Sequence, residues 1–294
     1  MPLYLKERWG AYTDSDPLTY AVWAIYENVK VFYREGRYGD LFSPRKLLDA
    51  GFHLWYTEIS KAARTLSSIE PLVVARNLAD SYGGAGIDPF FQRFEATTAI
   101  ATLVPQCEGV VLELGPGLGN QIARYDKNKV TRVVGVESNP HFQADIEAQA
   151  EKAGLASVYE LVTCGAEESD VLERHGIRAG SMDTVLSIQV LCSVPDERAM
   201  AREIYRVLRP GGKFIFWEHH VSSDRITRLY QNVTNPIWSR LIGGCCRNKD
   251  MHAALAAAGK WENLESIDGD ADPAKPWVTL PRVWGVLVKA KERN

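Results

Sequence analysis

The stretch Val110–Gln121, VVLELGPGLGNQ, sets three glycines within five residues directly behind a short apolar run. An apolar run bounded by turn residues reads as a buried strand. Bare backbone behind such a strand brings N–H groups against a ligand at the entry to the next helix. Two familiar identities fail on spacing. A triphosphate-binding loop needs Gly-Lys-Ser/Thr, and Gly119 is followed by Asn120 and Gln121. A dinucleotide fingerprint puts its third glycine where Asn120 stands, whereas here Gly115, Gly117 and Gly119 alternate.

Outward from this turn the grammar is strand and helix in alternation. Strands are expected at Val110–Leu114, Arg132–Glu137, Tyr159–Val162, Asp183–Ile188 and Lys213–Glu218. Charged segments such as NPHFQADIEAQAEKAG and PDERAMAREIYRVLRPGG separate them. In the second, Pro195 marks a helix start, Val207 and Leu208 are apolar anchors, and Pro210-Gly211-Gly212 is a stop. This alternation implies right-handed crossovers and a parallel sheet with helices on both faces. Near the end, WENLESID and Val283–Ala290 read as two more strands in an edge hairpin. The expectation is an α/β fold, a Rossmann-like, seven-stranded, mostly parallel sheet. Residues 1–105 have a different, helical grammar. Val22, Ile25, Tyr26, Val29, Phe32 and Tyr33 share one helix face, and Ser81–Asp88 is a glycine-rich break. An N-terminal helical cap over 1–105 and a ligand-binding domain over 106–294 follow.

Composition narrows the function classes. The 294 residues are 46% hydrophobic and carry a net charge of -3, from 34 basic and 37 acidic residues. No basic stripe exists to neutralise a phosphate backbone, so nucleic acid is not an expected partner. The opening MPLYLKERWGAYTDSD has charges where a secretory signal needs apolar residues, and no run is long enough to span a bilayer. Five cysteines without a C-x-x-C pair suit neither a disulfide framework nor zinc, which points to a reducing, cytoplasmic compartment. His53, His141, His175 and His252 show no companion ligands, so no metal is expected.

In a doubly wound sheet the ligand crevice lies beyond the carboxyl ends of the strands. A carboxylate at Glu113 repels a pyrophosphate there but suits a ligand with an ammonium and a sulfonium. Glu137, at the end of the second strand, is positioned to accept hydrogen bonds from both hydroxyls of a ribose. Glu-x-Gly-x-Gly-x-Gly, then a strand ending in an acid, points to S-adenosylmethionine.

These residues, with GVESNPHF, CGAEE, MDTVLSIQVLCSVPD, YRVLRPGGKFIFWEH and NPIWSRLIGGC, resemble class I S-adenosylmethionine-dependent methyltransferases. The likeness is closest to the methyltransferase-like 7 group, which includes thiol methyltransferases and is similar to the ubiquinone and menaquinone methyltransferases. It covers roughly residues 107–290. It implies that Gly115, Gly117, Gly119 and Asn120 line the methionine portion, with Glu113 facing the amino group. Glu137 holds the ribose, with Ser138 and Asn139 beside the adenine. Cys164, Gly165 and Ala166 flank the adenine edge, with Glu167 or backbone N–H groups in place of the family's usual acid. Gln189 and Leu191 contact the methionine end. Pro116 and Leu118 stand where the wider class often has Cys and Thr. The methyltransferase-like 7 proteins carry a hydrophobic N-terminal membrane anchor. None is visible here, so a soluble relative is expected, with peripheral membrane contact at most.

Methyl transfer from a sulfonium needs alignment and a dry pocket, with no covalent intermediate or metal. Phenols and alcohols also need a base, whereas a thiol is already partly ionised at neutral pH. His219 and His220 follow the fifth strand at its crevice end and are the candidate bases. Trp238, with Tyr12, Tyr20 and Trp9, supplies a candidate aromatic lid. The expectation is a small-molecule methyltransferase acting on a thiol or hydroxyl of a hydrophobic acceptor and releasing S-adenosylhomocysteine. Cyclisation on a bound sulfonium and a non-catalytic regulatory role are the alternatives. Nothing in the sequence fixes the oligomeric state.

Overall fold

The computed structural model describes residues 95–241, 244–270 and 278–291, together with Arg34. The helix read over residues 19–33, the break at Ser81–Asp88, and Trp9, Tyr12 and Tyr20 lie outside the described residues.

Seven strands form one sheet: β1 Gly109–Leu114, β2 Val130–Val136, β3 Tyr159–Val162, β4 Met182–Ile188, β5 Leu208–His219, β6 Asp268–Gly269 and β7 Arg282–Val288. Their order is β3-β2-β1-β4-β5-β7-β6. The pairs β1–β2, β1–β4, β2–β3 and β4–β5 are parallel, and β6–β7 is antiparallel. The chain winds outward in both directions from β1 and β4, which makes their carboxyl ends the point where a crevice opens. Six helices accompany the strands among the described residues: α1 Ile100–Leu103, α2 Gln143–Lys152, α3 Ser169–Arg174, α4 Glu197–Val207, α5 Arg225–Leu241 and α6 Met251–Ala258.

Apolar strands covered on both faces explain the uninterrupted apolar runs of the sequence. Leu112, Leu114, Val134, Phe214 and Phe216 pack on one side with Met200, Ile204 and Leu255. Val111, Val133, Ile215 and Trp217 pack on the other with Ile122 and Ile146. Burying each such side chain contributes about 1.5–3 kcal/mol.

Two boundaries differ from the sequence reading. Pro210-Gly211-Gly212 does not stop α4, which already ends at Val207; it lies inside β5. The ammonium of Lys289 donates to the carbonyls of Tyr205 and Leu208, both at 2.7 Å, and so closes the helix end. Gly211, at φ +78°, then lets the chain join the sheet, with a register shift opposite it between Met182 and Thr184. The second difference is WENLESID, which is not a full strand. Leu264–Ser266 is a 3₁₀ turn, Asp268–Gly269 pairs with β7, and at the other end Trp261 makes an isolated antiparallel bridge to Lys289. The Asn263 side chain takes the ladder's place, accepting from Val288 N–H at 2.9 Å and donating to Val286 O at 2.7 Å. β6 and β7 pair antiparallel at the end of the sheet, as an edge hairpin whose first arm is only two residues long, with β7 between β5 and β6.

The chain divides into two compact units. One gathers residues 61–218, 251–269 and 283–294 and holds the sheet; the other gathers residues 1–60, 219–250 and 270–282. In the second, Asp224 caps α5 by accepting from Thr227 N–H at 2.7 Å. Fully buried Gln231 accepts from Ser222 N–H at 2.9 Å and donates to Thr279 O at 3.0 Å. Among the described residues no helix is long and apolar enough to cross a membrane.

Candidate cofactor site

Where β1 ends, the chain turns through Gly115 at φ +55° and Gly117 at φ +57°, the left-handed region that favours glycine. A Cβ at Gly115 would stand 2.7 Å from a Val190 methyl, whereas at Gly117 it would meet only open space. The Gly117 N–H donates to Glu137 Oε2 and the Asn139 N–H to Oε1, each at 2.9 Å. Glu137, just past β2 and 8% exposed, is thus locked against the glycine turn. Burial raises its pKa, and the bonds from Asn139, Gly117 and Ser138 draw it back down. Asn139 is buried and Ser138 is exposed.

A cleft opens beside this turn, lined among others by Glu95, Glu113, Gly117, Asn120 and Gln189. The Asn120 side-chain oxygen is buried there without a hydrogen-bond partner. An unmet buried acceptor invites a donor. Glu113 also borders the cleft, but its Oε2 accepts from the Tyr159 hydroxyl at 2.8 Å. Gly135, opposite Glu113 in the sheet, makes this possible, since a Cβ there would collide with the Tyr159 hydroxyl. Burial pushes the Glu113 carboxyl up to about 7, against the pull of the bond from Tyr159.

Sequence reading missed two carboxylates. Glu95, 2% exposed, accepts from Gln121 Nε2 at 3.0 Å and Arg124 Nη1 at 2.9 Å and reaches the cleft from the segment before α1. Burial raises its pKa, opposed by Arg124. Glu218, fully buried in β5, accepts from Ser187 Oγ at 2.6 Å, Val190 N–H at 2.9 Å and Leu191 N–H at 3.1 Å. It pins the loop after β4, where Gln189 is held at φ +59°, a strained angle for a side-chain-bearing residue. The Leu191 side chain is packed in the core. Glu95 lies in no local motif, and Glu218, although it ends a predicted strand, shows its loop-pinning role only in the tertiary fold.

Beyond β3, Cys164 is buried, which raises its thiol pKa, with Glu168 and Glu167 adding to the rise. The Gly165 N–H donates to Glu168 Oε1 at 2.7 Å, so Glu168 takes up that backbone donor. Ala166 packs against the core. In the second unit His219 is half-buried, with Nδ1 3.4 Å from the Cys245 sulfur. The His220 backbone N–H donates to Pro281 O at 2.8 Å. Trp238 is buried with the Arg247 guanidinium carbon 4.6 Å from its ring centroid.

A left-handed glycine turn and an unmet amide oxygen share one cleft at the switch point of the sheet, and the turn is bonded to a buried carboxylate beyond the second strand. These groups suit the methionine chain, ribose hydroxyls and ammonium of S-adenosylmethionine, and they define a class I S-adenosylmethionine-dependent methyltransferase. Residues 112–216 match the methyltransferase domain family model. The chain is 31% identical over 189 residues to thiol S-methyltransferase TMT1B of Homo sapiens, spanning 61% of this chain and 70% of that one. It is 29% identical over 177 residues to 24-methylenesterol C-methyltransferase 2 of Oryza sativa subsp. japonica, spanning 58% of this chain and 46% of that one. The solved structure of the cyclase SpnF is similar in fold at TM-score 0.51 and 14% identity, covering 83% of this chain and 96% of that one. The chain belongs to the methyltransferase family that includes the thiol S-methyltransferases.

Proposed function

We propose that the acceptor is a small hydrophobic thiol, methylated on sulfur. The observation that carries this reading is the 31% identity to a thiol S-methyltransferase over 189 residues. When bound, S-adenosylmethionine supplies an electrophilic methyl group on a sulfonium. Gly117 and Asn139 hold the Glu137 carboxylate in place to accept from the ribose hydroxyls, with the Ser138 hydroxyl turning away to make room. Asn120 accepts from the ammonium with Glu113 nearby. Ser138, Asn139, Cys164, Gly165 and Ala166 border the adenine. Glu218 fixes the loop from Gln189 to Leu191 beside the methionine chain. Residues 1–105 act as a lid, with Tyr12, Tyr20 and Trp238 gripping an apolar acceptor. The cysteine pattern supports a cytoplasmic setting.

A hydroxyl acceptor is the second reading, favoured by His219 at the carboxyl end of β5. His219 takes the acceptor proton through Nε2 if Nδ1–H donates to Cys245, because the opposite tautomer leaves Nε2 without a lone pair. The test is incubation with S-adenosylmethionine and a panel of alkyl thiols and phenols, followed by mass spectrometry. Thiol products heavier by one CH₂, with S-adenosylhomocysteine released, are expected. Products from phenols alone favour the second reading, and no methylated product from either class refutes both.

A further inference from the structure

Arg247 is 1% exposed, and no carboxylate among the described residues pairs with it. Its Nη2 donates to Thr234 Oγ1 and its backbone N–H to Asn235 Oδ1 at 2.9 Å. Its guanidinium carbon lies 4.6 Å from the Trp238 ring centroid and 5.7 Å from that of Tyr230. Tyr230, Thr234 and Trp238 recur at one-turn spacing along α5 and form a row under the guanidinium. Nε and Nη1 of Arg247 have no hydrogen-bond partner, and neither has Trp238 Nε1, although all three are buried.

Two facts separate this from ordinary packing. A buried charge with unmet donors is strongly unfavourable, and the Thr234 hydroxyl, the Tyr230 side chain and the ring contacts recover only part of the loss. The helix beneath it is also inside out. Thr227, Gln231 and Trp238 face inward at 6%, 0% and 8% exposure, while Ile226, Leu229 and Val233 face outward at 80%, 64% and 68%. Soluble helices ordinarily turn the apolar face in. A polar inner row suits a charged occupant better than a hydrophobic core.

We propose that Arg247, with the indole N–H of Trp238 beside it, binds the carboxylate of a small organic acid. One carboxylate oxygen can accept from an unmet guanidinium N–H while the other accepts from the indole N–H. Its single charge matches one guanidinium, whereas a phosphate dianion would leave a charge unmet. This inference does not depend on which acceptor atom is methylated.

The experiment is titration of the full chain with propionate, propionamide and inorganic phosphate at matched ionic strength, read by thermal shift and tryptophan fluorescence. Propionate should raise the melting temperature saturably, propionamide should have no effect, and phosphate should bind more weakly than propionate. Arg247→Met and Arg247→Lys should each weaken propionate binding by about tenfold or more. Removing an uncompensated buried charge is often compatible with folding. If neither variant folds, propionate against propionamide on the wild type decides. Equal responses to acid and amide, an unchanged response in a folded Arg247→Met variant, or tighter binding of phosphate would overturn the proposal.

Discussion

Replacing Glu218 by glutamine tests whether this acid builds the cofactor loop. The carboxylate accepts three hydrogen bonds in a fully buried setting, from Ser187, Val190 and Leu191. An amide keeps one accepting oxygen. At best that oxygen serves Ser187 and Val190, and the Leu191 N–H then faces an NH₂ group. One buried donor without an acceptor costs about 1–3 kcal/mol. The surviving bonds also lose their charge assistance. A total near 2–4 kcal/mol is expected, equivalent to a fall in melting temperature of roughly 5–12 °C for a domain of this size. The same bonds hold Gln189 at φ +59° on the cleft. A left-handed angle costs about 1–2 kcal/mol, so a loosened loop relaxes and S-adenosylmethionine affinity falls roughly tenfold. Scanning calorimetry reads the first effect and isothermal titration the second. If Glu218→Gln melts within about 1 °C of wild type and binds the cofactor equally well, the loop does not depend on this carboxylate.

Further expectations follow from the same geometry. Burial raises the Glu113 pKa to about 7 in the folded chain, so its protonated form is favoured there. Its stabilising contribution is full below about pH 4.5 and is lost as pH rises to about 7, amounting to about 3 kcal/mol. Urea unfolding at pH 5–8 should show Glu113→Gln flattening that loss, and identical slopes in the two proteins would refute it. Glu137→Ala should weaken S-adenosylmethionine binding by roughly 10–100-fold in calorimetry, through lost charge-assisted bonds; unchanged affinity would put the ribose elsewhere. His219→Ala should cut turnover of a phenol by roughly 10²–10⁴-fold and of a thiol far less. Cys245→Ala should alter the pH–rate profile of the phenol reaction without changing cofactor affinity, and an unchanged profile would separate Cys245 from tautomer control.

Much of the sheet was legible because a strand buried on both faces shows itself as a local run of apolar residues. β3 matches its reading at both ends, and β1, β2 and β4 shift by a residue or two. The glycine turn and Glu137 were legible for a related reason: backbone angle and a terminal acid leave local marks. Pro210-Gly211-Gly212 misled because Lys289, 81 to 84 residues away in sequence, closes the helix before the proline is reached. The roles of Glu95 and Glu218 left no mark, since their partners Gln121, Arg124 and Ser187 lie 26 to 31 residues off. Glu113 was read as facing a ligand, and its bond to Tyr159 depends on a gap in the strand between them. Trp238 was read as a lid residue, and only the fold reveals Arg247 against its ring.

The gap at Gly135 ties three positions on three neighbouring strands into one heritable unit. Any side chain at 135 would exclude the Tyr159 hydroxyl, and without that hydroxyl the acid at 113 loses a donor while only 2% exposed. Descent cannot change these positions freely one at a time. A lineage that fills 135 must shorten 159 and neutralise 113 in nearly the same step, so their substitutions should arise together among relatives rather than in isolation.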